Sequence, residues 1–517
     1  MPTVNLSDLD GGISHPELFF GVVAAIGTPW PSIDPFLRAI LTARGYHVEP
    51  TIRVSELLKG FRLKCPYPRD GVDERTRVTM LMDMGDELRR VTGRSEALAL
   101  MVAAKIAAMR PETKDRSLAG RAFFIHQVKH PDEVLWFRHI YGDAFHLIGL
   151  YSPRSARAQF LTTLGMSMED AEALIVRDED EQTDWGQQLR NTFHLADVFI
   201  EMRADSTSTE HSHRQLSRFL DLLFGTRIIS PTRDEYGMYL AEAAALRSAD
   251  LSRQVGAAIL DQDGEVLALG GNEVPMAGGG QYWGDDDGPD YRDFQKGQDF
   301  NEFMKRSSIT ELLEQYDAGW AKLGKDRQER AIDRLASTRV ANLTEFGRAV
   351  HAEMEAILSA ARRGVRVKGA TLYSTTFPCH NCAKHIVGAG IRRVTYVEPY
   401  PKSLAGVMHD DSIGFTEDHP NASADLGTPD KGDDTPPLNK VWFGPYVGVA
   451  PRRYRALFSH MSQEGLRHKW KKRGGAVSTT PIGLRLRARL LSHVEREALA
   501  ALAAQSLHSL ETKEHTR

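Results

Sequence analysis

Positions 18–26 are apolar almost without a break, and the run stops at Gly27-Thr28-Pro29. A segment apolar on every residue, not on alternate ones, predicts a parallel strand buried on both faces. Helical spacing follows at Phe36, Leu37, Ile40 and Leu41. Farther on, a strand at 122–128, a helix at 132–140 and a strand at 144–151 make a βαβ unit, with one more strand at 195–200. Such units imply a parallel sheet. Residues 15–205 therefore predict one α/β domain of ordinary size, and the polar stretch 203–213 predicts a linker.

The pattern changes after the linker. A helix is expected at 234–247, with Met238, Leu240, Ala241, Ala244 and Leu246 as its apolar positions. A strand beginning at Val255 turns at Asp263-Gly264 into a second strand at 266–269, which predicts a hairpin ending at Gly270-Gly271-Asn272. Residues 276–342 form an insertion with an Asp285-Asp286-Asp287 cluster and helical patterning near 309–323. Val350, Met354, Ile357 and Ala361 predict a helix over 348–362, and Ala370-Thr371-Leu372-Tyr373-Ser374-Thr375 a strand. Pro378 opens a helix over 379–387, where a proline costs little. Strands are expected at 393–397 and 441–449, a loop rich in Asp, Gly and Pro at 410–439, and an amphipathic helix near 484–510. This divides the rest into a second domain at 230–462 and a basic, helical extension at 463–517, whose basic run is 467–473.

Composition alters this picture little. The chain has 517 residues and a net charge of −4, which gives no global signature for binding polyanions. Its three cysteines permit no disulfide framework, as suits a reducing cytoplasm. Cys65, in Lys64-Cys65-Pro66, reads as an ordinary thiol. The start of the chain lacks a basic region and a small-residue cleavage site, and the 18–26 run is too short to span a bilayer. A soluble cytoplasmic protein with no membrane partner is expected.

The chemistry concentrates between 351 and 382. His351-Ala352-Glu353 opens this stretch and Pro378-Cys379-His380-Asn381-Cys382 closes it. Either piece alone is unremarkable: the first as a helix start, the second as a redox pair or half of another metal site. Together and in this order, one imidazole and two thiolates offer three zinc ligands with a fourth position open to water, and the carboxylate is free to move protons. This is the signature of zinc-dependent nucleobase deaminases. His351, Cys379 and Cys382 are thus the expected Zn2+ ligands and Glu353 the general acid/base. The close Cys-x-x-Cys argues against the riboflavin branch.

Other candidates are less distinctive. Gly27 and Thr28 stand where a phosphate-binding loop would be, but no lysine follows, so a plain strand-to-helix turn competes equally with nucleotide binding. Arg253 could meet a phosphate, Asn272 a sugar, and Tyr400, at a strand end, a sugar or base. Each could equally be an ordinary turn or rim residue. The cluster Arg177-Asp178-Glu179-Asp180-Glu181 reads as a solvated loop.

The segments Ser252-Arg253-Gln254-Val255-Gly256-Ala257, Gly271-Asn272, His351-Ala352-Glu353 and Pro378-Cys379-x-x-Cys382 resemble the deoxycytidylate deaminase branch of the cytidine deaminase superfamily. Across the first half, residues 18–28, Val128-Lys129-His130-Pro131-Asp132-Glu133-Val134, Tyr141-Gly142-Asp143-Ala144-Phe145 and Thr192-Phe193-His194-Leu195-Ala196-Asp197 resemble the bacterial anti-phage dCTP deaminases. So do Pro401-Lys402-Ser403-Leu404-Ala405 and Val447-Gly448-Val449-Ala450-Pro451-Arg452-Arg453-Tyr454. The resemblance implies an N-terminal P-loop, nucleotide-kinase-like parallel α/β domain, with a degenerate loop here. A cytidine deaminase-like α/β/α domain with insertions follows it. It implies that dCTP, with dCMP, is deaminated to the uracil form, depleting dCTP during infection. Arg253, Asn272 and Tyr400 would hold phosphate and sugar, and the N-terminal domain would bind a regulatory nucleotide. Some relatives are held inactive by a small RNA, which the basic run would meet, and a homo-oligomer is expected. Two alternatives stay open. One is a polynucleotide deaminase acting on tRNA or single-stranded DNA, disfavoured by the acidic insertion and the acidic 410–439 loop. The other is a nucleotide-sensing regulatory protein, disfavoured by the intact Glu353.

Overall fold

The computed structural model describes residues 15–110, 120–180, 186–202, 206–336, 338, 345–398, 403–415, 440–460 and 490–514. The chain divides into two units, Met1–Pro231 with Val447–Arg517, and Thr232–Tyr446.

In the first unit the apolar run 18–26 becomes β1 (Leu18–Ala24), buried along its whole length. It lies between β4 (Arg121–His126) and β5 (Phe145–Tyr151), parallel to both. β2 (His47–Val48) and β3 (Ile52–Arg53) add in parallel to β4, and β6 (Val198–Glu201) to β5. With β13 (Gly448–Val449) beside β6, the sheet order is β13-β6-β5-β1-β4-β2, with β3 also on β4. The central strand is the first in sequence, so the chain winds outward in both directions, as the βαβ pattern implied. Its strands carry apolar residues toward both faces because helices cover both.

The second sheet has the order β11-β12-β10-β9-β7-β8. β7 (Gly256–Leu260) and β8 (Val266–Gly271) form the expected hairpin, turning at Gly264 with φ +91°. β9 (Thr371–Thr376), β10 (Arg393–Glu398), β11 (Ile413–Phe415) and β12 (Val441–Pro445) run parallel to one another, and β7 pairs antiparallel with β9. Two glycines let helices dock backbone to backbone on the hairpin. A Cβ at Gly256 would stand 1.9 Å from the Ala241 carbonyl in helix Arg233–Ala245, and one at Gly270 would stand 2.2 Å from the Ala352 carbonyl. The insertion folds on a small core of its own, Ile309, Trp320 and Ile332, drawn from helices Phe300–Tyr316 and Lys325–Ala336 and the turn between them.

Three expectations need correction. The polar stretch 203–213 is no linker: helix Ser206–Phe224 occupies most of it. Leu216, Phe219, Leu220 and Leu223 anchor its later turns in the core, and the buried Ser212 hydroxyl donates to the Glu201 carbonyl at 2.6 Å. Its first turns are polar, which hid it. The apolar run 441–449 is two strands rather than one. After β12 the chain leaves the second sheet, and β13 (Gly448–Val449) joins the first, antiparallel to β6. By contact, Val447–Arg517 groups with Met1–Pro231.

Helix Leu490–Glu514 belongs to the first unit, where Arg110 bridges Glu17 and Glu497, both at 2.7 Å, and His493 meets Glu17 at 2.6 Å. Finally, Asp178 is not in a solvated loop. It is buried near the end of helix Met168–Asp180, accepting from the Ile26 amide and from Lys129 Nζ, both at 2.8 Å. The basic run 467–473, most of the 410–439 loop, and Tyr400 lie outside the described residues.

Candidate metal centre and active site

Two helix starts converge at the site. His351 is the N-cap residue of helix Ala352–Arg362 and Cys379 that of helix His380–Gly388, one step ahead of the helical turns expected for them. An N-cap side chain ordinarily bonds the free amides of its own first turn. Neither does so here. Both are aimed at each other, with His351 Nδ1 3.3 Å from Cys379 Sγ and 3.4 Å from Cys382 Sγ. Pro378 sets the start of the second helix, and Cys382 lies in its first turn, fully buried.

The donor atoms of His351, Cys379 and Cys382 all lie within 4.8 Å of one another, a spacing that suits a single ion with thiolate and imidazole ligands. Hydrogen bonds from Cys382 and then His351 hold Cys379 well below the ordinary thiol range. Its bond to Cys379 lifts His351 to about 9 against the pull of burial. The hydrogen bond between Cys382 and Cys379, with burial, pushes Cys382 up. That direction at Cys379 favours the thiolate, the form in which a cysteine binds a divalent cation. These residues fit zinc.

Glu353 is in the first turn of its helix and 4% exposed. Its Oε1 accepts from Ser374 Oγ at 3.3 Å, and Cys382 Sγ donates to its Oε2 at 3.3 Å. Burial raises its pKa above the usual carboxylate range. A carboxyl so placed can both take and give a proton.

His351, Glu353 and Cys379 line a cavity of about 370 Å³, together with Arg253 and Asn272. Arg253 donates to Glu398 Oε2 at 2.8 Å. Asn272 is more committed than its sequence context suggested: its Oδ1 accepts from the Val255 amide at 2.7 Å and its Nδ2 donates to the Arg253 carbonyl at 2.9 Å. It straps the loop that carries Arg253, with one donor and one acceptor position left over. Gly27 and Thr28 do not line this cavity and belong to the other unit. Gly27 has φ +81°, the Thr28 hydroxyl donates to the Ala25 carbonyl at 2.7 Å, and the intervening Ile26 amide is taken by Asp178.

Sequence reasoning missed Ser374, Lys305 and Arg348. Ser374 could have been found from strand alternation. Its neighbour Tyr373 points the other way, donating to Asp234 at 2.7 Å, so Ser374 had to face the helix bearing Glu353. Lys305 and Arg348 also line the cavity, Lys305 from inside the insertion. No local pattern marks them.

Residues 231–398 match the model of the cytidine and deoxycytidylate deaminase zinc-binding region. The deoxycytidylate deaminase of Enterobacteria phage T2 is 49% identical over 57 residues, 11% of this chain and 30% of the phage protein. A probable deoxycytidylate deaminase of Drosophila melanogaster is 30% identical over 164 residues, 32% of this chain and 58% of the fly protein. The chain thus spans less than two thirds of either relative. The solved dCMP deaminase of cyanophage S-TIM5 aligns with 42% of this chain and 99% of its own, at 17% identity and a TM-score of 0.22. Among the described residues no helix is long and apolar enough to cross a membrane.

Proposed function

We propose that this protein hydrolytically deaminates free deoxycytidine nucleotides, dCTP and dCMP, to their uracil forms. The observation that carries the reading is the buried Glu353 carboxyl beside the gathered His351, Cys379 and Cys382 donors, in a cavity fit for a nucleoside. Zinc bound there supplies the Lewis acidity that makes water nucleophilic near neutral pH. Glu353 takes a proton from the attacking water and delivers it to N3 of the cytosine ring. It then shuttles the second proton to the exocyclic nitrogen, the C4–N bond breaks and ammonia leaves. Its raised pKa suits it to both directions of transfer. Arg253 meets phosphate, Asn272 holds the Arg253 loop and offers its remaining positions to the sugar, and Tyr400 packs against sugar or base.

In the cell this activity would lower dCTP and starve phage DNA synthesis. The first unit would take a regulatory nucleotide at the Gly27–Thr28 turn, where an entering phosphate competes with Asp178 for the Ile26 amide. An inhibitory small RNA, a homo-oligomeric assembly and a cytoplasmic location complete the proposal. The test is incubation of zinc-loaded protein with dCTP, dCMP, CTP, tRNA and single-stranded DNA, with Glu353→Ala alongside. Uracil product from dCTP or dCMP, absent in the variant, is expected. Turnover of polynucleotide alone overturns the reading, as does turnover of nothing.

A further inference from the structure

The first unit holds a groove of about 530 Å³ that the deaminase reading does not use. Helix Ser206–Phe224 presents His213, Arg214 and Arg218 to it, the two arginines one turn apart on one face. Gly225, at φ +58°, ends the helix, and the returning chain lines the groove with Arg227 and Ile228. Arg218 Nη2 donates to the Ser230 carbonyl at 2.9 Å, which straps that stretch to the helix. Phe36, from helix Ile33–Ala43, stacks on His213 in the wall, with ring centroids 3.7 Å apart.

No Asp or Glu is among the residues lining this groove. Carboxylates stand near its arginines but leave positive charge over. Arg214 meets Glu210 at 3.7 Å, with the two side chains 66% and 78% exposed. A solvated i,i+4 pair of that kind is worth little. Arg227, also 66% exposed, meets Asp221 at 2.9 Å, yet the same carboxylate takes Arg44 at 2.7 Å and the Thr226 hydroxyl at 3.0 Å. One carboxylate thus serves two guanidiniums. Beside these cations Ile228 is left 47% exposed.

Guanidiniums next to an uncovered isoleucine and a stacked ring pair match a ligand with a phosphate end and an apolar, flat body. The volume lies in the range of small-molecule sites. We propose that this groove binds a free nucleoside 5′-phosphate, with its phosphates on Arg214 and Arg227 and its base against Ile228 and the Phe36–His213 pair. A polynucleotide would call for a basic track longer than one groove. Gly27 and Thr28 do not line the groove, so it is separate from the turn considered above.

Calorimetric titration of the full chain with ATP, dTTP, adenosine, inorganic tripolyphosphate and a short single-stranded RNA tests this. The variants are Arg214→Gln, Arg227→Gln and Ile228→Ser, with Arg90→Gln and Thr28→Ala as controls. Arg90 is an exposed arginine of the same unit outside the groove. The parent should bind ATP or dTTP more tightly than adenosine or tripolyphosphate. Each groove arginine variant, losing one charge-assisted contact, should weaken nucleotide binding roughly tenfold. Ile228→Ser should weaken the nucleotide but not tripolyphosphate, and the controls should match the parent. Nucleotide binding unchanged in both arginine variants overturns the proposal, as does binding of no probe. Tripolyphosphate held as tightly as the nucleotides would show an anion site only, and RNA held more tightly than either and lost in the same variants would show an RNA surface; both refute it. None of these readouts depends on turnover, so failure of the deaminase reading leaves this test intact.

Discussion

Ser374 Oγ donates to Glu353 Oε1 at 3.3 Å, and both side chains are buried. A hydrogen bond to the ionised carboxylate favours that form, so it opposes the rise in pKa that burial imposes on Glu353. Ser374→Ala removes the opposing bond and should raise the Glu353 pKa further. The acidic limb of the kcat profile should then move to higher pH, while kcat on the plateau falls far less than in Glu353→Gln. The glutamine variant, with its proton carrier gone, should lose about 10²–10⁴-fold and still retain bound zinc. A kcat–pH profile of each variant, with metal analysis, checks this. An unmoved acidic limb in Ser374→Ala would show that the serine does not tune the acid.

Gly270 ties the hairpin to the helix that follows His351. An added Cβ would lie 2.2 Å from the Ala352 carbonyl and 2.5 Å from the Ala356 amide, backbone atoms that cannot swing aside. Gly270→Ala must push the helix off the sheet, at an expected cost of about 1–3 kcal/mol, and drag His351 out of reach of the two thiols. Gly264→Ala is the comparison. Its φ of +91° makes the substitution costly, but the strain stays in the hairpin turn. Both variants should show a lowered Tm, and only Gly270→Ala should lose zinc stoichiometry.

How far the sequence revealed this site depends on the range of each interaction. The gathering of His351, Cys379 and Cys382 was legible because their spacing and order put them at two adjoining helix starts. The strands on either side of β1 were legible because a doubly covered strand must be apolar throughout. What escaped was set by long-range packing. Asp178 lies in a run of charges and looked solvated, yet it is buried against Ile26, 152 residues away. The chain between Tyr446 and Gly448 passes from one sheet to the other inside what reads as one apolar run. Lys305 sits amid charged residues that face water, and only the tertiary fold selects it for the cavity.

Asn272 separates a strap from a ligand. Its two bonds to the backbone at Val255 and Arg253 hold the loop that presents the Arg253 guanidinium. Asn272→Ala leaves a buried amide and carbonyl without their partner, at an expected cost of about 1–3 kcal/mol. It should also raise KM for every deoxycytidine nucleotide. In Asn272→Asp the acceptor toward Val255 survives, but the donor to the Arg253 carbonyl becomes a repelling oxygen. That variant should therefore keep more stability than affinity. Paired unfolding and steady-state measurements on the two variants decide it: if both lose stability and affinity in the same proportion, Asn272 is only a strap.

The first unit has its own pH signature at the junction of Glu17, Arg110, His493 and Glu497. Burial alone would raise the Glu17 pKa, but hydrogen bonds from His493 and Arg110 outweigh it and bring the carboxyl to about 2. A carboxyl depressed in the folded state stabilises the fold above its ordinary pKa, and loses that contribution as pH falls from about 4.5 toward 2. A shift of this size corresponds to roughly 3 kcal/mol. Glu497 works in the opposite direction: burial raises its pKa, so protonating it on acidification relieves part of the loss. The net slope should be shallower than Glu17 alone would give. Glu17→Gln should unfold at a lower temperature than the parent at pH 7, because Arg110 loses a buried counter-charge. The gap between the two should narrow steadily below pH 4.5. Thermal unfolding of both proteins across pH 7 to 3 measures it, and a gap that stays constant over that range would mean that Glu17 contributes packing but no charge.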